Sequence, residues 1–267
     1  METHSRLWNL RAAGAVLAAA VLVARTSRAD TGVPEPSLAR RLIASYEAIK
    51  TVTCEIEKTT ITSAGTVRLL SRVHFRSPNC IHVENVSPQR RLIIADGRKL
   101  YYHEEHARFG FSRPIADLTG KWLDSLHNIP GTPLDNLLKL KNLPEVPVAP
   151  MPDYPQRAAY AAKNVFVVLS CDATGRLARL EFFESPDMKK KTATYEYANY
   201  RQVGEHCWIP LRHKASLALP DGGEITETRL ILNLEVNTPI PDSLFAADLF
   251  FKGVDFVDDF DKTYASP

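Results

Sequence analysis

Between Phe75 and Tyr102 apolar and polar residues alternate in short runs, and each run is cut by a turn-forming pair: Ser77-Pro78, Ser87-Pro88 and Asp96-Gly97. Side chains that switch face with period two belong to half-buried strands, and Asp-Gly readily takes the positive φ of a tight hairpin turn. The block therefore predicts two hairpins and no catalytic motif. It commits this part of the chain to an antiparallel sheet.

The flanking sequence extends the same pattern. Ser37 is a good N-cap for a helix in which Leu38, Leu42, Tyr46 and Ile49 recur at helical spacing. The period then drops to two. Val52, Cys54 and Ile56 form one side of a strand, and after a turn at Ser63-Ala64-Gly65 a second strand places Val67, Leu69, Val73 and Phe75 on one face. Beyond Asp96-Gly97 the strand pattern stops, and Ile115, Leu118, Trp122 and Leu126 return to helical spacing. A short helix follows, with Thr132 as cap, Pro133 first and an apolar edge of Leu134, Leu137 and Leu138. From 143 to 155, Pro144, Pro147, Pro150, Pro152 and Pro155 forbid regular helix and interior strand, which predicts an extended surface connector. Strands resume over Val165–Cys171, Leu177–Phe183, Thr192–Tyr200, Trp208–Leu217 and Glu224–Val236, with a brief helical turn at Asp242–Ala247 and a last segment to Val257. One sheet split by a helical insertion, with the first helix covering its concave face, accounts for residues 30–267 as a single α+β domain.

The first 29 residues read as a cleaved export signal: basic Arg6 and Arg11, an apolar run from Ala12 to Val23, then Ser27-Arg28-Ala29. That run is far short of the ~20 residues that cross a bilayer. The segment carries four Arg and one Glu, so removing its +3 from the formal +2 leaves a chain of net charge −1. Such a chain has no concentrated basic surface, which argues against nucleic acid as a partner. The expected product is a soluble periplasmic protein. In an oxidising compartment Cys54, Cys80, Cys171 and Cys207 would form one or two bridges or stay as buried apolar thiols; neither a pairing nor a zinc site follows from their spacing.

Several short motifs, in order, resemble the LolA family of periplasmic lipoprotein carriers. They are Tyr46-x-x-Ile49-Lys50-Thr51, Phe75-Arg76-Ser77-Pro78, Ile94-Ala95-Asp96-Gly97, Gly131-Thr132-Pro133 with Leu137-Leu138, Pro239-Ile240-Pro241-Asp242-Ser243-Leu244-Phe245, and Gly253-Val254-Asp255. The resemblance implies a strongly curved, incomplete antiparallel β-barrel with an N-terminal helix and a helical lid inserted at about 115–142. It also implies acyl chains of lipoproteins or other lipids as cargo, and inner- and outer-membrane protein partners. Two departures stand out. The family's basic residue directly before Pro is Ser77 here, with Arg76 one back, and a one-residue offset in a strand points a side chain to the opposite face. The Pro that precedes the family's final Gly is absent from Phe251-Lys252-Gly253.

Val67, Leu69, Val73, Phe75, Ile81 and Val83, facing Leu118, Trp122, Leu126 and Leu137 of the lid, are the candidate lining of an acyl cavity, with Arg76 at its edge; the same side chains would equally serve a filled core. His103-Glu104-Glu105-His106 lacks the His-Glu-x-x-His spacing of a helical zinc site, and no nucleophile elbow, phosphate loop or dinucleotide fingerprint occurs. The expectation is a carrier or binder without catalysis, cofactor or metal. The rival is an envelope sensor or scaffold whose sheet binds a membrane-protein partner.

Overall fold

Alternation becomes strand where the sequence calls for it. The computed structural model describes residues 35–120, 122–123, 126, 128–162 and 165–264, so the export segment read at 1–29 lies outside the described residues. The strands are β1 (Thr51–Thr62), β2 (Gly65–Arg76), β3 (Cys80–Ser87), β4 (Arg91–Asp96), β5 (Lys99–Glu104), β6 (Gly110–Pro114) and β7 (Glu145–Pro147). They continue as β8 (Gln156–Ala162), β9 (Val165–Cys171), β10 (Leu177–Phe183), β11 (Lys191–Gln202), β12 (Trp208–Ala218), β13 (Glu224–Val236) and β14 (Phe256–Val257). All lie in one sheet of order β14-β6-β5-β4-β3-β2-β1-β13-β12-β11-β10-β9-β8-β7. Every pairing is antiparallel except β14 with β6. The hairpin at Asp96-Gly97 forms as its dipeptide predicts: Gly97 takes φ +92°, and Asp96 Oδ1 accepts the amides of Arg98 and Lys99, each at 2.8 Å.

The sheet must be strongly curved. Strands β2 and β8 stand seven positions apart in the order, which on a flat sheet is about 34 Å at ~4.8 Å per strand. Helix α1 (Leu38–Tyr46) has nine residues and is only about 13 Å long. Yet it accepts no such gap: the amide of Ala39 donates to Tyr160 of β8 at 2.9 Å, while Leu38 and Tyr46 share one apolar core with Val73 and Phe75 of β2. Local kinks supply the bend, because register shifts interrupt the ladders at Thr53/Glu55, Leu70/Ser71, Leu177/Arg179 and Phe182/Phe183. The two edges, β7 and β14, do not meet, so the barrel is incomplete.

Three layers of packing follow. The hollow holds the main core, in which Val52, Leu137, Leu169, Leu180 and Ile209 are fully buried around α1. A second core joins Ile81, Leu100, Phe111, Leu118 and Leu126, with Trp122 stacked on Phe111 at 5.5 Å between ring centroids. On the outer face the C-terminal segment is strapped down by Ile240 and Phe245 against Cys80, and by Ala247 and Phe251 against Ile94.

Two sequence expectations need correction. Strand pairing does not end at the Asp96-Gly97 hairpin, since β6 adds to β5 before the 3₁₀ turn Ile115–Asp117. The proline-rich stretch is not wholly free of pairing either: Glu145–Pro147 forms a three-residue strand, and it sits at a sheet edge, where prolines are tolerated. All four cysteines are unpaired and buried.

Candidate functional site

Helix α1 owes its position to a clasp at its N-terminus. Ser37 caps the helix, its hydroxyl accepting from Arg40 N at 3.4 Å. Two further amides, free in any helix start, are taken by the far side of the sheet. Glu145 Oε2 on β7 accepts from Leu38 N at 2.6 Å and from Tyr160 Oη at 2.7 Å, and Tyr160 Oη in turn accepts from Ala39 N at 2.9 Å. Tyr160 is fully buried, and burial together with the Glu145 carboxylate pushes its phenol well above the ordinary value.

The chain enters helix α2 (Leu134–Leu140) through Gly131. That residue has φ +79°, which favours glycine, and a Cβ there would stand 2.6 Å from Ile231 Cδ1, the far end of that side chain. Thr132 Oγ1 donates to the Ile129 carbonyl at 2.8 Å and accepts from Leu134 N at 3.4 Å, one residue earlier than a conventional cap; Pro133 holds the cap position itself.

Between α1, α2 and the β2–β3 turn opens a cavity of about 720 Å³. Ile43 and Tyr46 of α1 line it, together with Ile49, with Leu134 and Leu138 of α2, and with Phe75, Leu126 and Ile129. Glu47, Lys50, Asp135, Lys139 and Lys141, together with Ser77, Pro78 and Asn79, complete its lining. The volume falls in the ~300–1,000 Å³ range of small-molecule sites, and the lining mixes apolar side chains with charged ones. Tyr46 Oη donates to the Trp208 carbonyl at 3.3 Å and is held neutral by burial, so it adds no charge to the wall.

The residues read as lining from sequence divide by place. Phe75 and Leu126 face the cavity. Val73 and Leu137 pack in the core behind it, and Ile81, Leu118 and Trp122 belong to the second core, with Val83 half-buried between the two. Leu69 is half-buried nearer the hairpin tip, and Val67 is 58% exposed, because the β1–β2 hairpin runs out beyond the hollow and its inward face there meets no cover. Arg76 points away from the cavity, as the one-residue offset requires: its guanidinium pairs with Asp242 of the C-terminal strap and lies 4.7 Å over the Phe245 ring. Ser77 lines the cavity in its place. Sequence reasoning missed Ile43, Tyr46, Ile49, Ile129, Leu134 and Leu138 as lining. The signal was present for Ile49, whose helical spacing with Tyr46 was read only as a surface that covers the sheet.

Beneath α2 lies a smaller polar chamber of about 170 Å³, bounded by Asp135, Lys139, Tyr195, Tyr197, His213, Glu227 and Arg229. Burial, then the Arg229 charge, pushes His213 down to about 4, so its ring is neutral at physiological pH. Glu227 is held below the usual carboxylate range by Arg229 and Lys58 despite its burial. The His103–His106 stretch is structural at its centre, where Glu104 is buried, accepts from Tyr102 Oη at 2.8 Å and pairs with Arg91 at 3.3 Å. Among the described residues no group of three or more His, Cys, Asp or Glu is arranged to hold a metal ion, and no helix is long and apolar enough to cross a membrane.

A single unclosed sheet, curled around α1 and α2 with an apolar hollow between them, makes an open-barrel scaffold. No family model and no curated protein matches the sequence. Among solved structures the chain is similar to a putative outer membrane lipoprotein-sorting protein domain from Vibrio parahaemolyticus, at 12% identity and TM-score 0.49, covering 79% of this chain and 96% of that one. It is also similar to a LolA superfamily protein from Nitrosomonas europaea, at 14% identity and TM-score 0.48, over 80% and 97% of the two chains. A DUF1329 family protein from Desulfovibrio piger shows 9% identity and TM-score 0.44, over 78% and 94%.

Proposed function

We propose that this protein is an exported, periplasmic binder or carrier of acyl chains that performs no catalysis. One observation carries the proposal: the cavity of about 720 Å³ whose walls are Ile43, Tyr46, Phe75, Leu134 and Leu138. A chain entering it is held by removal of apolar surface from water, at ~0.8 kcal/mol per buried methylene, and needs no directional chemistry. Because two helices form the walls, their separation would govern entry and release.

The test is uptake of a fluorescent apolar probe by the purified protein. Ile43 and Leu138 are half-buried and line the cavity, so Ile43→Glu and Leu138→Glu should leave the fold intact and weaken uptake at least tenfold. Unchanged uptake in folded variants overturns the proposal. Native mass spectra without detergent give the complementary result: a bound mass that leaves on denaturation supports acyl binding, and a clean mass with no uptake of added ligand favours a protein partner instead.

A further inference from the structure

We propose that His74 and His82 form a binding site for one divalent transition-metal ion, Zn²⁺ or Cu²⁺, on the outer face of the sheet where the C-terminal strap crosses it. Neither histidine lines the cavity, so the site does not depend on acyl binding.

Register brings the two rings together. His74 of β2 stands directly opposite His82 of β3, on the same face as Arg76. The rings meet edge-on at 5.8 Å between centroids. Two imidazoles on one tetrahedral ion, at Zn–N distances of ~2.0–2.1 Å, have centroids about 5 Å apart, so a small side-chain adjustment brings both Nε2 atoms onto one ion. A turn separates the two residues in sequence, and no spacing motif marks them.

The hydrogen bonds leave the right atoms free. His82 Nδ1 lies 2.6 Å from the Leu244 carbonyl of the strap, which can only accept, so in the neutral ring Nδ1 carries the proton and Nε2 keeps its lone pair. His74 Nδ1 lies 3.2 Å from Thr53 Oγ1, a hydroxyl able to accept in the same way. An oxygen that fixes one ring nitrogen and so aims the other is the outer-shell arrangement of metal-binding histidines. Neither Nε2 has a hydrogen-bond partner, and neither is sealed from water: among the described residues the buried side-chain polar atoms without a partner are Asn128 Oδ1 and Arg179 Nε.

The carboxylates nearby are engaged elsewhere. Glu84 pairs with Arg90 at 2.9 Å and with Arg72 at 3.7 Å, Glu55 pairs with Arg72 at 3.6 Å, and Asp242 pairs with Arg76. Two imidazoles are therefore the protein's ligand set, and water would complete the coordination. Such a set suits Zn²⁺ and Cu²⁺ over Mg²⁺ and Ca²⁺, which take oxygen ligands. Because His82 is also packed edge-on by Phe250 at 4.7 Å, a bound ion would join β2, β3 and the strap at one point.

The natural protein without a histidine tag, stripped of metal by a chelator, is titrated with Zn²⁺ in a calorimeter. It should take up one ion per chain. His74→Gln and His82→Gln should each weaken uptake at least about tenfold, the lower end of what loss of even an outer-shell partner costs, while His103→Gln/His106→Gln leaves it unchanged. Paramagnetic resonance of the Cu²⁺-loaded natural protein counts ligands without any substitution, and two imidazole nitrogens are expected. No uptake of either ion, unchanged uptake in either folded single variant, or fewer than two imidazole nitrogens on Cu²⁺ overturns the proposal.

Discussion

Acidification should weaken this protein through His213, and the size of the effect can be worked from its surroundings. The ring faces Tyr195 and Tyr197 from β11, Asp135 and Lys139 from α2, and Glu227 and Arg229 from β13. It packs edge-on to Tyr197 at 5.1 Å between centroids, and Nε2 lies 3.1 Å from the Pro210 carbonyl. Burial and Arg229 lower its folded value from the ordinary 6.5 to about 4. Because the folded state binds this proton less well than the unfolded state, the stabilisation is complete above pH 6.5 and is lost as pH falls toward 4. Over that window it amounts to roughly 3 kcal/mol. The assay is the urea midpoint between pH 7 and 4.5 for the natural protein and for His213→Gln, which keeps an N–H donor without titrating. His74, also lowered by burial and by His82, shifts both proteins alike and cancels in the difference. The natural protein should lose more stability on acidification than the variant by most of that amount. Parallel decline of the two would refute the assignment.

Tyr160→Phe removes the acceptor of Ala39 N and the donor to Glu145 at a fully buried site; the cost should be about 1–3 kcal/mol in urea unfolding, and a loss under 0.3 kcal/mol would mean that the clasp contributes nothing. Burial pushes the Cys54 and Cys171 thiols up to about 12 and Cys207 to about 11, so at pH 8 a thiol-alkylating reagent should modify these three only after denaturation, as read by intact mass.

Where the chain carries a strict period, the sequence was sufficient. The strands β1 to β5, the cap at Ser37 and the hairpin at Asp96-Gly97 all stand where alternation, helical spacing and turn chemistry place them. Strand β8 escaped because Gln156–Ala162 is mostly alanine, which has weak preference for strands; it is held by pairing with β9 along its whole length. The cavity was legible only in part for a different reason. Period two tells which side chains share a face, but not how far along the strand that face stays covered, so Val67 and Phe75 look alike in sequence and end at 58% and 4% exposure. At Arg76 the two sequence signals conflicted, since it was named at the cavity's edge while its one-residue offset turned it to the other face, and its pairing with Asp242 follows the offset.

The clasp on α1 bears on the order in which this chain can assemble. Leu38 and Ala39 lie early among the described residues, but the groups that receive their amides are Glu145 and Tyr160, more than a hundred residues further on. A nine-residue helix is marginal on its own in water. During synthesis or translocation from the N-terminus, α1 would therefore have no seat until β8 has emerged and the sheet has begun to curl. The first of the described elements is the one whose docking closes the fold, and the hollow it walls can exist only once that late step is complete.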